Sequence, residues 1–374
     1  MSTRPVLLAA MARSVCIGNG QSSSTRRLPL AALVLALTLG SCQIPQGSTE
    51  VTILPTTTTI PAITSTTSRS TTSTDPATTS TAGRGWLVIQ GVGDVNLDVG
   101  VIPSLLSEGY AHAWSGLDGL FLDDDLSVVN LECSPSPDGP AEPKEFVFGC
   151  DPGAYPAMVE AGVDVVNLGN NHGQDYGKPA MLTGRQLLDD VGLHPVGAGA
   201  DDTQAGAPAV FDIKGWKVAV IGFGGVFPHP GWFATPERPG MRNGDDIESM
   251  VAAVRAASEI ADIVVVTIHW GVELDNQPRP DDRDRAEAMI AAGADVIFGH
   301  HSHRLQPLET LEGRPVAWSL GNFVWPDLSD AGSTTAVARV VVSPEGEFSS
   351  CLIPAFIESP GHPVLLAEPE CGPG

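Results

Sequence analysis

The chain has 374 residues and a formal net charge of −24. Residues 1–84 hold six Arg against two acids, so the part from residue 85 onward carries about −28. A surface that acidic repels nucleic acid and anionic membrane, which excludes nucleic acid as a partner. Any polyanionic substrate needs a local positive site, which metal ions can supply.

The amino terminus reads as an export signal. Residues 1–27 are basic, Leu28 to Leu39 form a short apolar run, and Leu39-Gly40-Ser41-Cys42 follows. At about 12 residues the run is too short to span a bilayer well. Residues 1–41 are therefore expected to be a signal peptide of lipoprotein type, with cleavage before Cys42 and acylation of its thiol. Thr25-Arg26-Arg27 also resembles a twin-arginine signal, which leaves the export route open. Residues 42–84 are rich in Thr, Ser and Pro, a composition that cannot bury a core and predicts a disordered stalk. Residues 85–374 are expected to form one large domain, held outside the cytoplasm at the membrane by the lipid anchor. This domain has Cys133, Cys150, Cys351 and Cys371, an even number. In an exported chain that implies disulfides. Three pairings are possible; the local one, Cys133–Cys150 with Cys351–Cys371, closes two short loops and is the one expected.

The domain alternates buried strands with helices. A strand is predicted over 86–92, leading to Gly93-Asp94, and another over 126–131, ending at Glu132. A helix over 152–161 precedes a strand over 163–168, which runs into Gly169-Asn170-Asn171-His172. A helix over 179–191 and a tight Gly-rich turn over 193–199 come next. Residues 209–213 and 216–223 read as a hairpin turning at Lys214-Gly215. The Pro-, Gly- and aromatic-rich segment 224–244 is long enough to be a rim or lid. A helix over 245–260 leads to a strand over 263–268, tipped by His269-Trp270-Gly271-Val272-Glu273. A helix over 280–292 and a strand over 294–298 lead into Gly299-His300-His301-Ser302-His303, where three of the nine histidines fall. Residues at i and i+2 share a face, so His301 and His303 are expected to point into one site and His300 to pack or orient. A strand over 315–320 ends at Gly321-Asn322-Phe323, and a final strand over 335–342 closes the core.

This pattern predicts an α/β fold in which strand tips gather Asp94, Glu132, Asn171, His172, His269, His301 and His303. Two carboxylates, one amide and several imidazoles suit a divalent metal site, dinuclear, of Mn, Fe or Zn. Gly93-Asp94, Asn130-Leu131-Glu132, Asn170-Asn171-His172 with Asp175-Tyr176-Gly177, His269-Trp270-Gly271, Gly299-His300-His301-Ser302-His303 and Ser319-Leu320-Gly321-Asn322-Phe323 occur in the order found in the CapA capsule-synthesis family. In these motifs, over about residues 86–330, the chain resembles that family, which is associated with poly-γ-glutamate and is similar to calcineurin-like metallophosphoesterases. The resemblance implies a layered sandwich with helices flanking central mixed β-sheets. It implies that Asp94 and His303 bind a first metal, that Glu132 bridges, and that Asn171, His269 and His301 hold a second. His172 then faces substrate, as general acid or as stabiliser of developing charge. The activity implied is metal-assisted attack of hydroxide on a phosphoester, or on an amide of an anionic envelope polymer. The alternative is a non-catalytic accessory or scaffold protein for polymer synthesis or export, working with partners of a synthesis complex. One position departs from the phosphoesterase pattern: Asn96 stands where Asp-x-His supplies an imidazole to the first metal.

Overall fold

The computed structural model describes residues 83–326 and 329–373. Residues 1–41 expected to be a signal peptide, Cys42, and all but the last two residues of the expected stalk lie outside the described residues. Among the described residues no helix is long and apolar enough to cross a membrane.

Two sheets stack between two layers of helices. The first sheet has the spatial order His362–Leu365, Phe348–Ser359, Thr334–Val342, Leu87–Val95, Leu126–Leu131, Val165–Asn167, His194–Val196, and Asn322–Val324 also pairs with Leu87–Val95. The second has the order Leu308–Leu311, Arg314–Ala317, Val296–His300, Ile263–His269, Trp216–Gly224, Ala209–Ile213. Both are mixed, with parallel strands at the centre and antiparallel strands at one or both edges. The architecture is α/β, with helices flanking central mixed sheets.

Strand alternation sorts residues into layers. Val265 and Val128 pack between the sheets, with Leu87, Ile89, Val218, Phe298 and Val340. Their neighbours Val264, Val266 and Ile268 face outward, against Met250 and Val254 of helix Ile247–Ser258 and Met289 of helix Pro280–Ala292. Val129 and Leu131 face the opposite way, toward Met158 of helix Tyr155–Ala161 and Met181 and Leu188 of helix Gly177–Val191. The inner layer is closely packed: a Cβ on Gly91 would lie 2.7 Å from the Phe298 ring.

Helix ends follow local chemistry. Asp246 caps Ile247–Ser258 by accepting from the Ser249 N–H, and Gly162, Gly192 and Gly293 end three helices with positive φ. The hairpin turns at Lys214 (φ 47°) and Gly215 (φ 83°), both left-handed as a two-residue turn requires. Both local disulfides form, Cys133–Cys150 and Cys351–Cys371, with Cα separations of 5.5 and 5.9 Å.

Three expectations need correction. The Gly-rich stretch at 193–199 is not a simple turn. His194–Val196 pairs with Val165–Asn167 as an edge strand, and Ala198–Gly199 pairs with Gly240–Met241. The strand expected over 315–320 is two strands, Arg314–Ala317 in the second sheet and Asn322–Val324 in the first, so the chain changes sheets there. The core does not close at residue 342: Phe348–Ser359 and His362–Leu365 extend the first sheet by two strands.

Candidate metal centre

Register brings the polar strand ends into two facing rungs. In the first sheet Asn322, Asp94, Asn130 and Asn167 are adjacent Cα partners. In the second, His300 pairs with His269, which pairs with Gly224. Parity explains most of this. Val265, Thr267 and His269 share the inner face, as do Val296, Phe298 and His300. Asp94 is the exception. Leu87 and Ile89 point inward, so uninterrupted alternation would turn Asp94 outward. The pairing with Leu126–Leu131 shifts register between Gly91 and Asp94, and this irregularity resets the parity so that Asp94 aligns with Asn130. Gly93 leaves room for the chain beside it, since a Cβ there would lie 2.1 Å from the Gly321 carbonyl oxygen.

The two rungs are wired together. Asn130 Nδ2 donates to Asp94 Oδ1 (2.9 Å) and lies 3.1 Å from His269 Nδ1. Its Oδ1 accepts from Asn167 Nδ2 at 3.0 Å, which fixes the amide's orientation. His300, fully buried, meets the Thr267 hydroxyl through Nε2 at 2.9 Å and sits with Nδ1 3.9 Å from Asp94 Oδ1.

The structure brings together all six residues singled out as metal ligands. Asp94, Glu132 and His303 offer ligand atoms within 4.8 Å of one another, and so do Glu132, His269 and His301. Glu132 belongs to both groups. Its Oε1 is 3.5 Å from His269 Nε2 and 3.7 Å from His303 Nε2. Asn171 Oδ1 is 2.7 Å from His269 Nε2. His303 Nδ1 meets Asn322 Oδ1 at 2.7 Å and Asp94 Oδ2 at 3.3 Å, leaving Nε2 directed at Glu132. His301 and His303 do share a side, but not through strand alternation: both residues are left-handed, with φ of 90° and 51°. Such backbone at a non-glycine residue is strained and persists where the surroundings hold it. Here the His301 N–H donates to Asp94 Oδ2 at 3.3 Å.

The electrostatics favour a cation. Glu132 is fully buried, and neither carboxylate oxygen has a hydrogen-bond partner among the described residues. Burial, and then the neighbouring Asp94, push its carboxyl well above the usual range. Burial also acts on Asp94, but His303 and the Asn130 bond outweigh it and hold that carboxyl low. His303 is raised because Asp94 overcomes its burial. Burial, with His303, takes His301 down to about 3, and burial with four other imidazoles, His301 first, holds His269 far below its ordinary value. The neutral imidazoles of His269 and His301 beside an unpaired carboxylate are what a divalent metal requires of its ligands. The donor set fits the group that the sequence implies.

His172 flanks this cluster. Its Nδ1 is 2.7 Å from Asp175 Oδ2, and its ring stacks on Phe148. Lys144 Nζ lies 2.5 Å from Asp175 Oδ1 and 3.1 Å from His172 Nδ1, and donates to the Asn171 carbonyl at 2.6 Å. Burial lowers both His172 and Lys144, with Asp175 opposing in each case. Lys144, Phe146, Asn171, His172, Phe227 and Glu273 are among the residues lining a cavity of about 240 Å³. Val226 to Pro228 of the segment expected to form a rim or lid also lie on its wall.

Sequence reasoning assigned no role to Asn130, Asn322, Asp175, Lys144 or Glu273. Asp175 was signalled by its spacing of three from His172 and Asn130 by its place beside Glu132. Lys144 gave no signal, because a loop closed by Cys133–Cys150 delivers it. Asn96 is buried, and its Oδ1 accepts from the Asp98 N–H at 2.8 Å.

Comparison with known proteins places this geometry in a family. Residues 88–327 match the model for "Bacterial capsule synthesis protein PGA_cap". The chain is 38% identical over 172 residues to the capsule biosynthesis protein CapA of Bacillus anthracis, covering 45% of this chain and 42% of the relative. It is 39% identical over 183 residues to the PGA biosynthesis protein CapA of Bacillus subtilis, covering 49% and 48%. It is 30% identical over 212 residues to a probable polyglutamine synthesis accessory protein of Mycobacterium tuberculosis, covering 54% and 55%. The chain thus spans about half the length of the curated relatives it matches. Among solved structures, a putative 5′-nucleotidase from Staphylococcus aureus aligns with a TM-score of 0.45 at 16% identity, covering 76% of this chain and 55% of that one. The NAD nucleotidase of Haemophilus influenzae aligns with a TM-score of 0.44 at 13% identity, covering 72% and 50%. With the family model matching well over half of its length, this chain belongs to the bacterial capsule synthesis protein PGA_cap family.

Proposed function

We propose that this protein is an exported, lipid-anchored, metal-dependent hydrolase of metallophosphoesterase type. Its substrate is a phosphoester, or an amide bond in an anionic envelope polymer such as poly-γ-glutamate. The observation that carries this reading is Glu132: a fully buried carboxylate with no hydrogen-bond partner among the described residues, set between His269 Nε2 and His303 Nε2. In a protein that stays folded, such a group calls for a cation.

Asp94, Glu132 and His303 would hold one ion, and Glu132, Asn171, His269 and His301 a second. Bound there, the metal supplies Lewis-acid charge and a nucleophile at neutral pH. The chain's own residues do the rest. Asp175 accepts from His172 Nδ1, which directs Nε2 toward the cavity, where it donates a proton to the leaving oxygen or stabilises charge developing there. Lys144 fixes Asp175 and the Asn171 carbonyl, and so holds the ring and the amide in one arrangement. Phe148 packs on the His172 ring and limits its rotation. Export is supported by the two disulfides, which persist in oxidising compartments.

A second reading, a non-catalytic accessory protein for polymer synthesis or export, is favoured by Asn96. Its side chain accepts from the Asp98 N–H and brings no imidazole to the first position, which has Asp94 alone from that stretch of chain.

The test is metal content of the purified full chain together with hydrolysis of bis(p-nitrophenyl) phosphate. The hydrolase reading expects bound divalent metal, and activity lower by at least about 100-fold in His301→Ala, since even residues behind metal ligands are worth about 10–100-fold. Metal near zero after reconstitution, or activity unchanged in His301→Ala, overturns it and leaves the accessory reading.

A further inference from the structure

Glu273 has no place in the ligand set described so far, yet its carboxylate lies within 4.8 Å of ligand atoms of both His301 and His303. It follows the strand Ile263–His269 by four residues, on an exposed loop. That loop is built rather than loose. Gly271 and Leu274 are both left-handed, with φ of 90° and 66°. The Leu274 N–H donates to the Ser302 carbonyl at 2.7 Å, which ties Glu273 directly to the His301–His303 segment. Gln306 Nε2 donates to the carbonyls of Asp275 (2.9 Å) and Gln277 (3.2 Å), clamping the same loop from its far side. An exposed acid has no need of such fixing, and left-handed Leu is costly backbone.

A second observation concerns one of the same residues. His301 is 4% exposed, and its Nδ1 has no hydrogen-bond partner among the described residues. Glu273 also lines the 240 Å³ cavity with His172 and Asn171, so its carboxylate stands at the solvent side of the cluster.

We infer that Glu273 is a further metal ligand, reaching the His301–His303 side of the centre from solvent. This rests on the metal-centre reading above. With Glu273 the donor set has three carboxylates, an amide oxygen and three imidazoles. That is richer in oxygen than the buried residues alone, and it tilts the site toward Mn or Fe(II) and away from Zn.

The test uses Mn²⁺ alone as the probe. Full-length wild type, Glu273→Gln, Glu273→Ala and Asn96→Ala are stripped with chelator and titrated with Mn²⁺ by calorimetry, and the melting temperature of each stripped protein is recorded. Wild type is expected to bind. Both Glu273 variants are expected to lose at least about tenfold in affinity, or one equivalent of Mn²⁺, with stripped melting temperatures unchanged because the residue is exposed. Asn96→Ala is expected to keep wild-type affinity. If wild type binds and the Glu273 variants bind equally well, the inference falls and the metal-centre reading stands. If the Glu273 variants weaken binding only along with a matching drop in stripped melting temperature, the residue is structural and the inference falls. Loss in Asn96→Ala with none at Glu273 also overturns it. No Mn²⁺ binding by wild type overturns the inference, and no binding of Fe²⁺ or Zn²⁺ either overturns the metal-centre reading itself.

Discussion

Replacing Glu132 with Gln should change the sign of its effect on stability with metal. In the stripped protein Glu132 is a buried carboxylate with no hydrogen-bond partner among the described residues, next to Asp94. Removing the negative charge while keeping the shape should relieve about 1–3 kcal/mol, the usual cost of an unsatisfied buried polar group. The gain grows with pH. The folded-state pKa of Glu132 is raised, so the native state binds its proton more tightly than the unfolded state does. Stability from that proton is fully present below the ordinary Glu range and is lost as pH rises toward the raised value. Gln carries no such dependence. With metal the order reverses. An ion at 1,000 times its dissociation constant adds about 4.1 kcal/mol to wild type, and Gln at the shared ligand position should forfeit most of that. For a folded part of this size, each kcal/mol moves the melting temperature by about 2 °C. Glu132→Gln should therefore melt about 2–6 °C above wild type in chelator at pH 8, and below it in saturating Mn²⁺. Scanning calorimetry in the two buffers reads both shifts. A variant that melts below wild type in chelator, or a wild type indifferent to Mn²⁺, Fe²⁺ and Zn²⁺ alike, would refute the account of Glu132.

Other consequences are open to direct measurement. The Cys133–Cys150 bridge spans 17 residues of sequence, so the double substitution to Ala should cost about 3 kcal/mol in urea unfolding. An unchanged midpoint would mean that the loop carrying Lys144 is held by its packing alone. Asp124, which accepts from the Ser127 hydroxyl at 2.6 Å, has its carboxyl pushed up to about 8 by burial, with Asp164 and Asp125 adding to it. Its stabilising proton is present below about pH 4 and lost by about pH 8. Asp124→Asn should therefore gain stability relative to wild type between pH 5 and pH 8.5, and equal differences at the two values would argue against it. Cys42→Ser should release the protein from membranes; continued retention in the membrane fraction would count against the lipid anchor.

Much of the site was legible because buried parallel strands end where their side chains can act. The runs before Asp94, Glu132, Asn171, His269 and His301 are apolar enough to read as strands, and a polar residue at such a tip stands out. What joins these tips was not legible. Asn130 matters because it is the register partner of Asp94 and faces His269 across the layer, and neither relation is local in sequence. The inward turn of Asp94 depends on a register shift that simple alternation would miss. His301 and His303 share a side through two left-handed residues, a conformation that composition does not announce. The strand Phe348–Ser359 escaped notice because Ser349, Ser350 and Pro354 break its apolar pattern. Lys144 was hidden for a different reason: its position is set by a disulfide loop rather than by a strand.

Because Asn130 bonds to Asp94 in one sheet and lies against His269 in the other, the centre is divided between two sheets. Its ligand spacing is then set by the apolar layer beneath, where Gly91 lies against the Phe298 ring. A methyl added at residue 91 touches none of the ligands, yet it must move one sheet relative to the other. The metal affinity of this protein is in that sense a gauge of its core packing, and substitutions in the inner layer should register at the centre before they register as unfolding.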